Sequence, residues 1–143
     1  MSISMRINKI LYFRNDDAWR LEHESMTQEP GGSLLLINGE EFIFDTPVDG
    51  IALTPDGSYL FYCPLSGFLL HKLPTAKAQI KDEAGNIGKH ISLVGKKISQ
   101  TDGMLFGHRG LYYGALQSNS IYKWDYLKDM VREKALLKVK LCI

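Results

Sequence analysis

The stretch that decides the fold is Asp102-Gly103-Met104-Leu105-Phe106-Gly107-His108-Arg109-Gly110-Leu111-Tyr112-Tyr113-Gly114-Ala115-Leu116-Gln117-Ser118-Asn119-Ser120-Ile121-Tyr122-Lys123-Trp124-Asp125. It reads as three short strands and two tight turns. Apolar Met104 to Phe106 meets a Gly107-His108-Arg109-Gly110 turn, Leu111 to Leu116 meets a Gln117-Ser118-Asn119 turn, and Ile121 to Trp124 alternates. The same order occurs once before. Asp49-Gly50-Ile51-Ala52-Leu53 opens a strand, Pro55-Asp56-Gly57 turns, Tyr59 to Leu65 forms a second strand, Ser66-Gly67 turns, and Phe68 to Leu73 forms a third. Asp49 and Asp102 stand 53 positions apart. That is an internal repeat of the size of one propeller blade.

Length bounds what such blades can build. A blade needs roughly 40 to 50 residues and a ring at least about four blades, so the 143 residues supply about two to three. The expectation is an all-β partial propeller of four-stranded antiparallel sheets, a single domain over 1–143. Its blade repeats run over about 49–94 and 102–143, with strands of a preceding blade in about 7–44. With 45% hydrophobic and 23% charged residues the chain is globular in composition. A formal net charge of +1 and scattered basic residues give no field for nucleic acid or an anionic membrane. No apolar run reaches the roughly 18 residues of a membrane span. The opening Met1 to Ile10 lacks the apolar core of a secretion signal, because Arg6, Asn8 and Lys9 interrupt it.

Outside the repeats, Ile7 to Phe13 and Ala18 to His23 read as strands, and Gln28 to Gly32 as a loop. Ser33 to Ile37 and Glu41 to Phe44 flank Asn38-Gly39, a hairpin signal. Pro74 to Lys89 reads as a loop with one helical turn around Thr75 to Ile80. His90 to Val94 is expected as the outer strand of the first blade and Leu137 to Ile143 as that of the second, with a short surface helix over Tyr126 to Ala135. A bare terminal strand would leave an exposed edge, so self-association through sheet edges is an expectation.

The residues that could carry chemistry are few. Asp49-Gly50 and Asp102-Gly103 each precede the innermost strand of a repeat, and in a propeller such positions ring one mouth of the central channel. Carboxylates converging there could hold a divalent cation or a cationic ligand. The same pairs also fit plain turn chemistry, Asp capping a turn whose Gly takes positive φ. His23, His71, His90 and His108 show no metal-ligand spacing, so surface or packing roles are expected. Cys63 and Cys142 allow one disulfide at most, and burial as small hydrophobes is the plainer reading. Tyr59, Tyr62, Tyr112, Tyr113, Tyr122 and Trp124 alternate along successive strands, which predicts packing between blades.

Gly50-Ile51-Ala52-Leu53-Thr54-Pro55-Asp56-Gly57 followed by Leu60-Phe61-Tyr62-Cys63-Pro64-Leu65-Ser66 resembles a segment of the yellow / major royal jelly protein family. Ala18-Trp19-Arg20, Leu73-Pro74-Thr75, Val94-Gly95-Lys96-Lys97 with Ser99-Gln100-Thr101-Asp102-Gly103, and Asn119-Ser120-Ile121-Tyr122-Lys123-Trp124-Asp125 fit that family in the same order. The resemblance implies a secreted six-bladed propeller that binds a small ligand, such as a biogenic amine or a melanin-pathway intermediate, in its channel, with no cofactor. Asp49, Gly50, Asp102 and Gly103 would then line the channel mouth. Asp102-Gly103-Met104 also resembles the gluconolactonase group, six-bladed as well, in which that Asp holds a divalent cation such as calcium for lactone hydrolysis. Asp49 stands where that group has an Asn. A third expectation is a chain with a structural role only, because a site at a ring centre needs the remaining blades.

Overall fold

The computed structural model describes residues 34–138, apart from 38, 44, 45, 79, 80, 109, 129 and 131–133. The strands expected over 7–13 and 18–23 lie outside the described residues, as do His23 and Cys142. Strands β1 (Leu34–Ile37) and β2 (Glu40–Ile43) form a hairpin in which Ile37 pairs with Glu40, as the Asn-Gly signal requires. Gly39 takes the φ of 86° that such a turn demands.

Two four-stranded antiparallel sheets follow. The first blade is β3 (Val48–Leu53), β4 (Tyr59–Pro64), β5 (Leu69–Pro74) and β6 (Ser92–Lys96). The second is β7 (Met104–Gly107), β8 (Gly110–Ala115), β9 (Ser120–Trp124) and β10 (Lys134–Lys138). Both are simple up-and-down meanders, with strands in sequence order.

Turn chemistry sets the register of each blade. Between β3 and β4 the Asp56 carboxylate accepts hydrogen bonds from the Thr54 hydroxyl (2.6 Å), the Ser58 amide (3.1 Å) and the Ser58 hydroxyl (2.8 Å). Gly57 completes the turn at φ 71°. In the second blade the β7–β8 hairpin closes on the pairing of Gly107 with Gly110. Gly110 has φ 150°, and a Cβ there would run into the Trp124 carbonyl oxygen. The resulting registers match across the repeat: Ala52 pairs with Phe61 and Phe61 with Lys72, as Leu105 pairs with Tyr112 and Tyr112 with Lys123.

The core lies between the blades. Ala52, Phe61, Cys63 and Leu70 of the first pack against Leu111 and Trp124 of the second, with Val94, Met104, Phe106 and Met130 around them. Phe61 meets Phe106 edge-on at 5.0 Å and Trp124 at 6.1 Å between ring centroids. Burying a ring of this size stabilises by about 1.5–3 kcal/mol, and each aromatic pair adds roughly 0.5–1.5 kcal/mol. Of the six aromatics expected between blades, Trp124 belongs to this core. Tyr62 turns to the other face of its sheet, where Leu73 and Ile87 cover it and the His71 ring stacks on it at 5.7 Å. Tyr113 stacks on Tyr122 in the equivalent way at 6.0 Å.

The segment Lys97 to Thr101 carries the chain from one blade to the next. Its Lys97, Ser99, Gln100 and Thr101 are buried although all are polar. They are held by hydrogen bonds to backbone: Lys97 Nζ donates to the Gly67 carbonyl (3.1 Å) and Gln100 Nε2 to the Leu34 carbonyl (3.0 Å). The Gln117 amide donates to Ser99 Oγ (3.1 Å) and the Leu116 amide to the Gln100 carbonyl (3.2 Å). One crossover therefore ties the hairpin and both blades together.

Two expected boundaries differ. A short α1 (Thr75–Ala78) and a 3-10 helix over Lys81–His90 fill the first connection, so the outer strand begins at Ser92 and not at His90. The helix expected over 126–135 is replaced at its start by a turn, and Lys134 and Ala135 already belong to β10. Side chains decide this. Asp125 accepts from the Leu127 amide (3.3 Å) and pairs with Lys128 (3.3 Å), while Trp124 Nε1 donates to the Lys128 carbonyl (3.0 Å). An Asp that captures nearby backbone amides competes with helix formation.

Phe61→Ala is expected to destabilise the chain by roughly 3–5 kcal/mol in urea unfolding, whereas Leu105→Ala, at an exposed position, should stay within about 0.5 kcal/mol. The hydrogen bonds from Thr54 and Ser58 hold the Asp56 carboxyl down to about 2 from its ordinary 3.8. The stability this gives is present above pH 3.8 and is lost as pH falls toward about 2. Asp56→Asn should remove that acid limb from a plot of melting temperature against pH.

Candidate functional site

Both Asp-Gly pairs enter the innermost strands, but neither is a turn of the positive-φ kind. Gly50 lies within β3, and the glycines with positive φ are Gly39, Gly57 and Gly110 among the described residues. The reason for glycine at 50 is close approach. A Cβ on Gly50 would stand 2.9 Å from Cys63 Sγ, 3.1 Å from Met104 Cε and 3.5 Å from the Asp102 carbonyl oxygen. The first is closer than a Cβ normally comes and the second is tight, so a side chain at 50 would force Cys63 and Met104 to shift. Gly103 differs: a Cβ there would meet nothing within 4 Å. Its carbonyl accepts from the Thr101 hydroxyl (3.1 Å) and the Gly114 amide (3.2 Å), which fixes the backbone just after Asp102.

This approach brings the two carboxyls together. Asp49 at the start of β3 and Asp102 just before β7 are both exposed, and their carboxyls lie near enough to interact. Partial desolvation, hydrogen bonding toward the Asp102 carboxyl and repulsion from its charge, in that order, push the Asp49 carboxyl above its ordinary 3.8. Asp49 therefore holds its proton more readily than a separated aspartate would. Loss of that proton leaves two negative charges side by side and open to solvent, an arrangement that a cation relieves.

A family model described as Major royal jelly protein matches residues 10–139. The chain belongs to the major royal jelly protein family. Major royal jelly protein 7 of Apis mellifera is 27% identical to it over 127 residues, a match covering 87% of this chain and 28% of that protein. The chain thus spans little more than a quarter of that relative's length. The family's fold is a β-propeller, and β3–β6 and β7–β10 are two four-stranded blades of this all-β architecture. Family members are secreted proteins. No helix among the described residues is long and apolar enough to cross a membrane.

For the lactonase resemblance, Asp49 and Asp102 supply two neighbouring carboxyls, and among the described residues no group of three His, Cys, Asp or Glu side chains could hold a metal ion. A calcium ion takes six to eight oxygen ligands. The histidines are elsewhere: His71 is buried against Tyr62, and His108 sits in the exposed β7–β8 loop. Cys63 is fully buried beside Gly50, and Cys142 lies outside the described residues.

Sequence reading passed over Thr101, Cys63 and Met104 as parts of the site. Only Met104 carried a signal, since it follows Asp102 in the repeat; the others matter through contacts made across strands. Two outcomes check the geometry. In a carboxyl-detected NMR titration, Asp102→Asn should lower the Asp49 midpoint, because the repulsion is gone. Gly50→Val should destabilise the chain by more than about 1 kcal/mol in urea unfolding, through overpacking.

Proposed function

We propose that this chain forms part of a secreted propeller that binds a small cationic ligand, a biogenic amine or a cationic intermediate of melanin formation, at the mouth of its central channel. The observation that carries this reading is the Asp49–Asp102 pair, two exposed carboxyls brought close together from adjacent innermost strands. An ammonium group placed between them displaces the Asp49 proton and offsets the repulsion, a gain that a neutral ligand cannot provide. Gly50 and Gly103 contribute backbone and open space beside the pair, the latter with nothing within 4 Å of where a side chain would begin. Aromatic residues are not the basis of recognition in this reading, because Trp124 and Tyr113 are buried in the fold.

Titration calorimetry with dopamine and serotonin tests the proposal. Binding at neutral pH is expected to weaken several-fold in Asp49→Asn and in Asp102→Asn. It should also weaken in the unmodified chain as pH is lowered through the raised Asp49 value, because the proton then competes with the ammonium. Absence of heat for both amines, or affinity indifferent to both substitutions, would sink the amine reading.

A further inference from the structure

Both aspartates of the pair stand at breaks in their ladders. In the first blade Val48 pairs with Pro64 and Gly50 with Cys63, so Asp49 is the extra residue of a bulge in β3. In the second blade the pairing of β7 with β8 begins at Met104, opposite Tyr113, so Asp102 precedes the ladder. A bulge re-aims the side chain it carries, and a residue ahead of its ladder needs some other restraint to keep one direction.

The repeat shows where that restraint lies. In the first blade the Leu65 amide donates to the Pro47 carbonyl (3.0 Å) and the Thr46 amide to Ser66 Oγ (2.9 Å). In the second the Leu116 amide donates to the Gln100 carbonyl (3.2 Å) and the Gln117 amide to Ser99 Oγ (3.1 Å). These bonds align Pro47 with Gln100, Val48 with Thr101 and Asp49 with Asp102. The two frames are alike, and the residue before the aspartate differs in one group. Val48 has no hydroxyl and is held by strand pairing with Pro64. Thr101 is fully buried, and its hydroxyl donates to the Gly103 carbonyl (3.1 Å), bridging the backbone across Asp102. The Gly114 amide donates to that same carbonyl (3.2 Å). Asp102 therefore sits in a short span whose two ends, Gln100 and Gly103, are fastened to the β8 side, and the Thr101 hydroxyl closes the span.

We propose that Thr101 is a positioning residue for the carboxyl pair: by tying Gly103 back across Asp102, its hydroxyl sets how near Asp102 stands to Asp49, and with that the affinity of the pair for a cation. The effect on affinity rests on the cationic-ligand reading above, whereas the effect on the spacing of the carboxyls does not. Asp49 reports that spacing, because the charge acting on its carboxyl is that of Asp102. A hydroxyl that served stability alone would change the melting temperature and leave the Asp49 titration where it is.

Thr101→Val removes the hydroxyl and keeps the shape, and Val48 at the equivalent place shows that the frame accepts it. In a carboxyl-detected NMR titration the Asp49 midpoint is expected to fall toward its ordinary value in Thr101→Val and to stay raised in Thr101→Ser, which keeps the hydroxyl. Dopamine affinity measured by calorimetry at neutral pH should drop several-fold in Thr101→Val and recover in Thr101→Ser. A midpoint that stays raised in Thr101→Val, or falls equally in Thr101→Ser, would overturn the proposal. So would dopamine affinity unchanged in Thr101→Val while Asp102→Asn weakens it. If the midpoint moves as expected and dopamine gives no heat with any form, the amine reading falls and the positioning role stands. Should Thr101→Val fail to melt cooperatively, Thr101→Ala is set against Thr101→Ser in the same titration.

Discussion

The packing of Phe61 against Phe106 and Trp124 is the contact on which the rest of the structure depends. A four-stranded sheet with apolar side chains on both faces cannot bury them alone, and the second sheet supplies the missing surface. Because Phe61 lies opposite Ala52 on the innermost strand, its position fixes how near β3 comes to β7. Everything at the inner end of the blades inherits that distance.

The proximity of Asp49 and Asp102 is one consequence. Two carboxyls do not attract each other, so no local preference would bring them together; the apolar junction behind them does. Gly50 makes the approach possible by presenting only backbone to Cys63, Met104 and the Asp102 carbonyl. The cost appears as a raised Asp49 carboxyl, and perturbed groups of this kind concentrate where proteins bind ligands. The crossover from Lys97 to Thr101 holds the other side of the junction. It buries polar side chains and recovers their lost hydration by hydrogen bonds to carbonyls of the hairpin and of the first blade. A tie of this form is directional, so it sets orientation where the apolar contact sets only distance.

Repetition makes the same physics recur with different results. The stacked pairs Tyr62–His71 and Tyr113–Tyr122 sit at equivalent places, as do the lysine-ended rows through Phe61 and Tyr112. In the first blade Ala52 and Phe61 are buried, whereas in the second Leu105 is exposed and Tyr112 half-buried. Exposure at Leu105 and Ile121 is therefore a property of position in the stack and not of the local sequence.

The sequence by itself determined the strands, the turns and the repeat, because these follow from alternation and from glycine and aspartate at fixed offsets. Asn38-Gly39 and Pro55-Asp56-Gly57 fold as read. It also marked Asp49 and Asp102, as the first residues of equivalent strands. The sequence did not show that the two carboxyls lie near enough to interact, that Gly50 serves close packing and not a positive φ, or that Lys97 is buried. Nor did it show that the charged run after Asp125 begins as a turn and not a helix, since that rests on the Trp124 indole reaching the Lys128 carbonyl. Each of these depends on which atoms a neighbouring blade or strand places within a few ångströms, and periodicity along one chain carries no information about distance across two sheets.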